Sequence, residues 1–423
     1  MKIPKILEPV ADSLRGFRGN ARTCILVEPL WGISYNLFVP YASLYMLSLG
    51  VSEGGIGAIA SLGMVLQMFW SFSGGWITDR LGRRRTSLIF DLISWSAPTL
   101  IWAFARDLKW FLAAAVLNSA VRVVHISWSC LFIEDSEPGR RVSLYTWMSV
   151  AGTVSGFFAP AAGLLVKIYG LVPATRGLYV FAFLAMTSMF LVRNAFTKET
   201  TIGKLKMEES KGSNARAAFA EYREAARLLL SRRESLIAFL LAVLSNIHLQ
   251  TRNSFLSVVL TKGVGLSPAL IAVFPPLAAA TTLAVYLLVI PRVKRVGFAL
   301  FLSLGANVVG NLAIFFAPAA DSAGAGAATL AAVLFGTFAV AVGTGVAGPV
   351  VDAVLANSVD ESKRATIMSI IYTLMFAISA PFGWLTGVLA EAGGRLPALF
   401  AAAAMLAAVA LALSVREDRR PKA

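Results

Sequence analysis

Ionisable side chains are rare inside the long apolar runs of this sequence, and those present are of kinds that hold protons or bind ions. Glu28 lies in the first third of the first run, with Tyr35 seven residues on and near the same helical face, and Asn36 beside it. In the fourth run Asn118, Arg122, His125 and Ser129 keep the i, i+4, i+7, i+11 spacing of one helical stripe. The seventh run packs Asn246, His248, Gln250, Arg252 and Asn253 into eight residues. On an ideal helix Asn246, Gln250, Asn253 and Ser257 share a stripe, while His248 and Arg252 point roughly 200° away. Arg252 therefore either lines the same cavity through a break in the helix or snorkels towards the outer surface. A buried carboxylate that moves relative to a guanidinium switches between holding and releasing a proton, which is the chemistry of ion coupling. Asn307 and Asn311 in the ninth run are i, i+4 and suit interhelical hydrogen bonds, and Asp352 is a second proton candidate. No nucleophile and base set is visible, and no metal-ligand spacing, so no enzyme, metal or cofactor is expected. The glycine-rich stretch Gly343 to Pro349 lacks the lysine that a phosphate loop needs.

These groups need elements to carry them, and composition says what kind. Of 423 residues 57% are hydrophobic and 14% charged, with mean hydropathy +0.72, against roughly 25% charged in soluble domains. Long apolar runs without strict alternation favour membrane helices over a barrel. The runs predict an all-α membrane protein of twelve spans: Thr23 to Leu49, Gly55 to Ile77, Ser87 to Ala105, Trp110 to Ile133, Ser143 to Ile168, Arg176 to Arg193, then Ser235 to Leu260, Pro268 to Ile290, Gly297 to Ala317, Ala327 to Val350, Ala365 to Ala390 and Pro397 to Val415. With both termini in the cytoplasm, the inner connections hold 30 of the 38 Lys and Arg and the outer ones six, with Arg122 and Arg252 inside spans. That asymmetry sets the orientation. It also accounts for the net charge of +15 without a nucleic-acid partner. Cys24 and Cys130 fall inside apolar runs as packing residues, and Met1 to Asn20 has no apolar core for a cleavable leader. Residues 1–193 and 235–423 form two bundles around a linker, 194–234. In that linker Phe219, Tyr222, Ala226 and Leu229 give Ala215 to Arg233 an amphipathic pattern, either an interfacial helix or a solvated tether.

The halves echo each other. Asp79-Arg80-Leu81-Gly82 lines up with Lys294-Arg295-Val296-Gly297, and Asp135 to Arg141 with Asp360 to Arg364. Two bundles related in this way can rock around one central site. The loop between spans two and three reads Gly74-Gly75-Trp76-Ile77-Thr78-Asp79-Arg80-Leu81-Gly82-Arg83-Arg84-Arg85. This resembles the loop signature of the major facilitator superfamily, and the resemblance covers nearly the whole chain. Span five, with Gly152, Gly156, Pro160 and Gly163, is similar to the span-five motif of the family's exporters, except that Ala159 and Ala162 stand where that motif has glycine. Generic close packing explains these small residues equally well.

The resemblance implies two pseudo-symmetric six-helix bundles and alternating access. It implies that Gly75, Asp79, Arg80, Gly82 and Arg83 form a conformational latch, with Asp79 docking near the start of span eleven at Ala365, against the alternative that the loop is a topology signal alone. The loop arginines then either pair with acids such as Asp91 or Asp352 or simply anchor the inner face. It also makes Glu28 and Arg122 neighbours on the cavity, as in proton-coupled exporters, with His125 either a relay or a satisfied member of its stripe. The pair is then a coupling device or a static pair that fixes packing. Tyr35, Asn36, Asn118, Asn246, Gln250 and Arg252 are the expected substrate contacts. Glu134 and Asp135 are expected as solvated helix ends. The resulting expectation is a monomeric secondary transporter in the cell membrane that exports a small amphipathic or cationic compound against protons. The alternatives are uptake or exchange of an organic anion held by Arg122 and Arg252, and a membrane protein that binds a partner and moves no solute.

Overall fold

In lipid every backbone N–H and C=O must be satisfied within its own segment, and helices do this. A computed structural model of the chain describes residues 18–137, 141–210, 233–293, 295–320, 326–357 and 364–413, and among them every regular element is helical. Helix α1 is Gly19–Ser48, α2 Glu53–Leu81, α3 Arg83–Phe104 and α4 Leu108–Ile133. Helix α5 is built from Arg141–Ser155, a tight turn at Gly156–Phe158, and Ala159–Tyr169; α6 is Leu171–Phe196. Helix α7 runs through Arg233–Val258 and a widened turn at Val259–Gly263, followed by α8 at Pro268–Val289. Then come α9 at Val296–Phe315, α10 at Gly326–Asn357, α11 at Arg364–Ala392 and α12 at Leu396–Leu413. Apart from α1, these give eleven helices long and apolar enough to cross a bilayer. Helix α1 has 30 residues, about 45 Å at 1.5 Å per residue. It carries Arg22, Glu28, Asn36 and two internal prolines, so its hydropathy is diluted by the groups that give it chemistry.

Short joints follow local signals. The Ser52 hydroxyl accepts from the Gly55 N–H at 3.1 Å to start α2, and the Asp107 carboxylate accepts from the Lys109 N–H at 2.9 Å to start α4. A short helix, Thr201–Glu209, follows α6. The expected amphipathic segment Ala215 to Arg233 lies outside the described residues except at Arg233, and the side chains of Asp352 and Ala365 lie outside them too.

The end of the bundle that holds the Asp79 to Arg85 loop is the basic end, and the other is the far end. Within the first six helices an aromatic column joins α1, α3, α4 and α6 through Phe38, Tyr45, Trp102, Phe111 and Tyr179. At the far end the first and last six helices meet backbone to backbone. A Cβ on Gly57 of α2 would lie 2.6 Å from the Gly383 carbonyl of α11, and one on Gly163 of α5 would lie 2.7 Å from the Ala269 carbonyl of α8. The Ser61 hydroxyl donates to Ala380 O at 2.5 Å and accepts from the Trp384 N–H at 2.7 Å. Lys262 reaches Glu53 at 2.5 Å, and Glu391 accepts from the Gly54 N–H at 2.8 Å. Nearer the basic end the spacing opens: a Cβ on Gly75 or Gly152 would meet nothing within 4 Å. Gly152, expected to pack, and Gly75, expected in the latch, therefore make no close approach. Towards this end of α2 a close contact belongs instead to Gly74, where a Cβ would lie 2.8 Å from Ile126 Cδ1.

Candidate functional site

Above the far-end closure lies a cavity of about 370 Å³, walled by α1 and α5 on one side and by α7, α8 and α10 on the other. Helix α5 makes room for it by breaking. Gly156 begins the tight turn and stands 3.1 Å, at its Cβ position, from Ala279, and Pro160 opens the next helical piece at the position where proline costs no hydrogen bond. Gly152 leaves open space on the wall, so its role is to make volume.

Helix α7 presents Arg252, Asn253, Leu256, Ser257 and Leu260 to the cavity, which is one face at helical spacing. No break is needed, and Arg252 does not snorkel. Its Nη1 donates to the Asn311 Oδ1 of α9 at 3.0 Å, while Asn311 Nδ2 lies 3.0 Å from His248 Nε2 and donates to the Asn307 carbonyl at 2.7 Å. Among the described residues lining the cavity Arg252 carries the one charge. Of the remaining expected contacts, Tyr35 and Asn36 line the wall. The Tyr35 ring stacks on Trp31 at 4.8 Å, with Trp95 edge-on, and the Asn36 amide donates to Gly32 O at 2.8 Å. Asn118, Asn246 and Gln250 do not line it. Asn118 donates to Ser94 O at 2.7 Å where α4 is interrupted at Ser119, a brace between α3 and α4. Gln250 turns to a crevice between α2 and α11, and the Asn246 amide is buried without a partner among the described residues. Thr153, Thr282, Phe274 and Thr337 were missed by sequence reasoning, because a lone hydroxyl or ring in an apolar run gives no signal.

Glu28 and Arg122 do not pair. The Arg122 Nε donates to Gln67 Oε1 at 3.1 Å, and its guanidinium lies over the Phe376 ring at 4.3 Å, so the α4 stripe faces α2 and α11. His125, one turn towards the basic end, is exposed on that side. Glu28 faces the interior of the first six helices, where its charged neighbours are Arg193 and Asp91. Arg193 of α6 and Asp91 of α3 form an ion pair, 3% and 2% exposed. Asp91 therefore serves α6 and not the loop arginines. The sequence concealed this pair because Arg193 stands at a run's edge and counts as a loop cation.

The basic loop is tied inward. Gly82 adopts φ +84°, and a Cβ there would lie 2.6 Å from Glu199 Oε2. The Glu199 carboxylate accepts from the Arg83 and Arg84 N–H groups at 3.0 Å each, an anion on the N-terminus of α3. Arg83 is buried and reaches Asp79 at 2.8 Å and Glu134 at 3.1 Å, and the Thr200 hydroxyl also donates to Glu134. The partner of Asp79 is thus Arg83, with Arg80 over the Trp76 ring. Glu134 is a member of this network and not a solvated helix end.

Comparison with known proteins agrees with the architecture. The Major Facilitator Superfamily sequence model matches residues 30–341. A curated relative from Danio rerio, solute carrier family 2, facilitated glucose transporter member 10, is 28% identical over 170 residues, which are 39% of this chain and 32% of that protein. The chain therefore spans about a third of the length of that relative. Among solved structures, a variant of the nucleoside transporter NupG gives a TM-score of 0.72 at 12% identity, covering 94% of this chain and 100% of that one. The human organic anion transporter MFSD10 gives 0.65 at 17% identity, covering 93% and 98%. An auto-inhibited peptide transporter of the POT family gives 0.69 at 14%, covering 95% and 98%. Identities this low speak for the fold alone. With eleven apolar helices, a cavity between two groups of them, and a family match across most of its length, the chain is a multi-pass membrane transporter and belongs to the major facilitator superfamily.

Proposed function

We propose that this transporter binds a small organic anion in its central cavity and carries it by alternating access. One observation carries the proposal: among the described residues Arg252 is the one charged group on the cavity wall. A guanidinium offers a planar fork of donors that a carboxylate or phosphate matches with two parallel bonds. Asn36, Asn253 and Ser257 add polar contacts, while Tyr35, Leu256 and Phe274 add apolar surface for an organic body. A volume of about 370 Å³ suits a compact ligand. The expected cationic substrate needs a carboxylate on the wall, and Glu28 is not among the lining residues. The substrates of the fold neighbours, which include nucleosides, peptides and organic anions, do not choose between these classes.

In this reading the chain has twelve spans with both termini inside and bundles at 1–193 and 235–423, which is supported by adding α1 to the eleven apolar helices and by the basic residues at the loop end. On that orientation the far end is the exterior. The Gly57 to Gly383 and Gly163 to Ala269 contacts then close the outer gate, and the cavity faces inward. One chain supplies the whole cavity wall, so a monomer is a sufficient working unit.

The test uses three ligands of one shape and three charges: benzoate, benzamide and benzamidine. Benzoate is expected to raise the thermal midpoint of the purified protein and to change the emission of Trp31, which stacks on the wall residue Tyr35. Benzamidine is expected to do neither. Stabilisation by benzamidine and not by benzoate would reject the anion and return the cationic substrate.

A further inference from the structure

Behind the cavity wall, Asn311 stands between two groups that compete for its amide. Arg252 only donates, so the oxygen of Asn311 must face it, as the 3.0 Å contact from Nη1 shows. The nitrogen is then left facing His248 Nε2 at 3.0 Å and the Asn307 carbonyl at 2.7 Å. An amide nitrogen also only donates, so His248 Nε2 must accept, and the imidazole here is neutral with its proton on Nδ1. The three residues therefore report on each other: while Arg252 holds the oxygen of Asn311, His248 has no place for a second proton. His248, Asn307 and Asn311 are each at most 2% exposed, so water does not relieve this constraint.

We infer that His248 is the proton-binding site of the transporter and that Asn311 links its protonation to anion binding at Arg252. This rests on the anion proposed for the cavity. When a proton arrives on Nε2 that atom becomes a donor, and the Asn311 amide turns over so that Oδ1 accepts from it. The turn gives up the bond to the Asn307 carbonyl and points Nδ2 at the guanidinium, two donors face to face. Arg252 then lacks an acceptor on the α9 side, and the acceptor available on its other side is an anion in the cavity. That anion also neutralises the charge nearest the imidazole. Proton and anion therefore favour each other's binding, the arrangement that co-transport in one direction requires.

Among the described residues other charges do not intrude on His248. Helix α7 packs on α1, α2, α10, α11 and α12 and meets α9 through Asn311. On α1 Glu28 faces Arg193 and Asp91. On α2 Glu53 holds Lys262, Asp79 holds Arg83, and Arg80 lies over Trp76. On α11 Tyr372 lies by Arg122, and Glu391 accepts from the Gly54 N–H. The described residues of α9 and α12 carry no charged side chain, and Arg395, just before α12, binds the Gly263 and Ala317 carbonyls. Among the described residues Arg252 is the charge that acts on His248.

The experiment measures benzoate affinity of the full chain by tryptophan fluorescence between pH 5.5 and 8, a range in which benzoate stays ionised. Wild type is expected to bind at least about tenfold tighter at pH 5.5 than at pH 8 (about 1.4 kcal/mol). His248→Gln is expected to bind benzoate with a flat pH profile. Asn311→Leu, which keeps both end groups but removes the link, is expected to bind with a flattened profile as well. If His248→Gln does not fold, Asn311→Leu decides. A wild-type profile that is flat, or a slope that survives in these variants, would overturn the link while leaving the anion site standing. Failure of wild type to bind benzoate at any pH would overturn the anion site, and the link with it.

Discussion

Arg252→Gln is expected to weaken benzoate binding by at least about 100-fold. Hydrogen bonds to charged groups contribute about 1.5–3 kcal/mol each, and a bidentate carboxylate has two of them. A total of about 3–6 kcal/mol corresponds to about two to four factors of ten. Glutamine keeps a donor near Asn311 and much of the side-chain volume, so the α7 and α9 packing is expected to survive and the loss to appear in binding and not in folding. Benzamide, which has no charge, is expected to bind both proteins alike. Arg252→Lys is expected to fall between, because an ammonium keeps the charge and loses the planar fork. Titration of both ligands into both variants checks this, and an equal loss of benzamide and benzoate would mean that Arg252 shapes the cavity without recognising charge.

The largest effect on stability is expected at the Asp91–Arg193 pair, and it should be asymmetric. Removing one partner of a buried ion pair costs about 3–5 kcal/mol, because the other is left charged and unpaired. Here a third group shares the site, since Glu28 lies within electrostatic reach of both. Arg193→Met strands two carboxylates, whereas Asp91→Asn leaves Glu28 to serve the guanidinium. The arginine variant should therefore lose the full amount and the aspartate variant clearly less. The double variant that combines Arg193→Met with Asp91→Leu should recover much of the loss, since well-packed apolar pairs often replace buried ions at little cost. Thermal unfolding of wild type and the three variants in one detergent checks the order. Equal losses from the two single changes would remove Glu28 from the cluster.

The spans were legible because a bilayer demands long apolar helices, and most of their ends agree within a few residues: α9 runs Val296–Phe315 where Gly297 to Ala317 was expected, while α10 continues to Asn357 past the expected Val350. Helix α6 starts earlier than expected, at Leu171. Arg176, read as an outer boundary, folds inward and donates to Tyr45 OH and the Ala105 carbonyl. Within the site, spacing along one helix identified Arg252 and Tyr35 but left open which way Arg252 points. That was decided by Asn311 on another helix, a contact that periodicity within a run cannot reveal. The Glu28 and Arg122 expectation failed for the same reason. Membership of neighbouring spans does not say which faces meet, and the two side chains point to different partners across α1 and α4. The loop signature pointed to Asp79 and Arg83, which meet each other, and gave no sign of Glu199 and Glu134, which carry no motif and bind the loop arginines in this conformation.

The claim that an anion sits between the two groups of helices is tested most directly by labelling in place. 4-Azidobenzoate, photolysed on the purified protein and mapped by mass spectrometry, is expected to leave adducts on both walls, at Tyr35 of α1 and at Leu256 or Phe274 of α7 and α8. Excess benzoate and Arg252→Gln are each expected to abolish them. Adducts confined to outward-facing residues such as Phe196 or Leu413, or adducts on the cavity wall that persist in Arg252→Gln, would contradict the account.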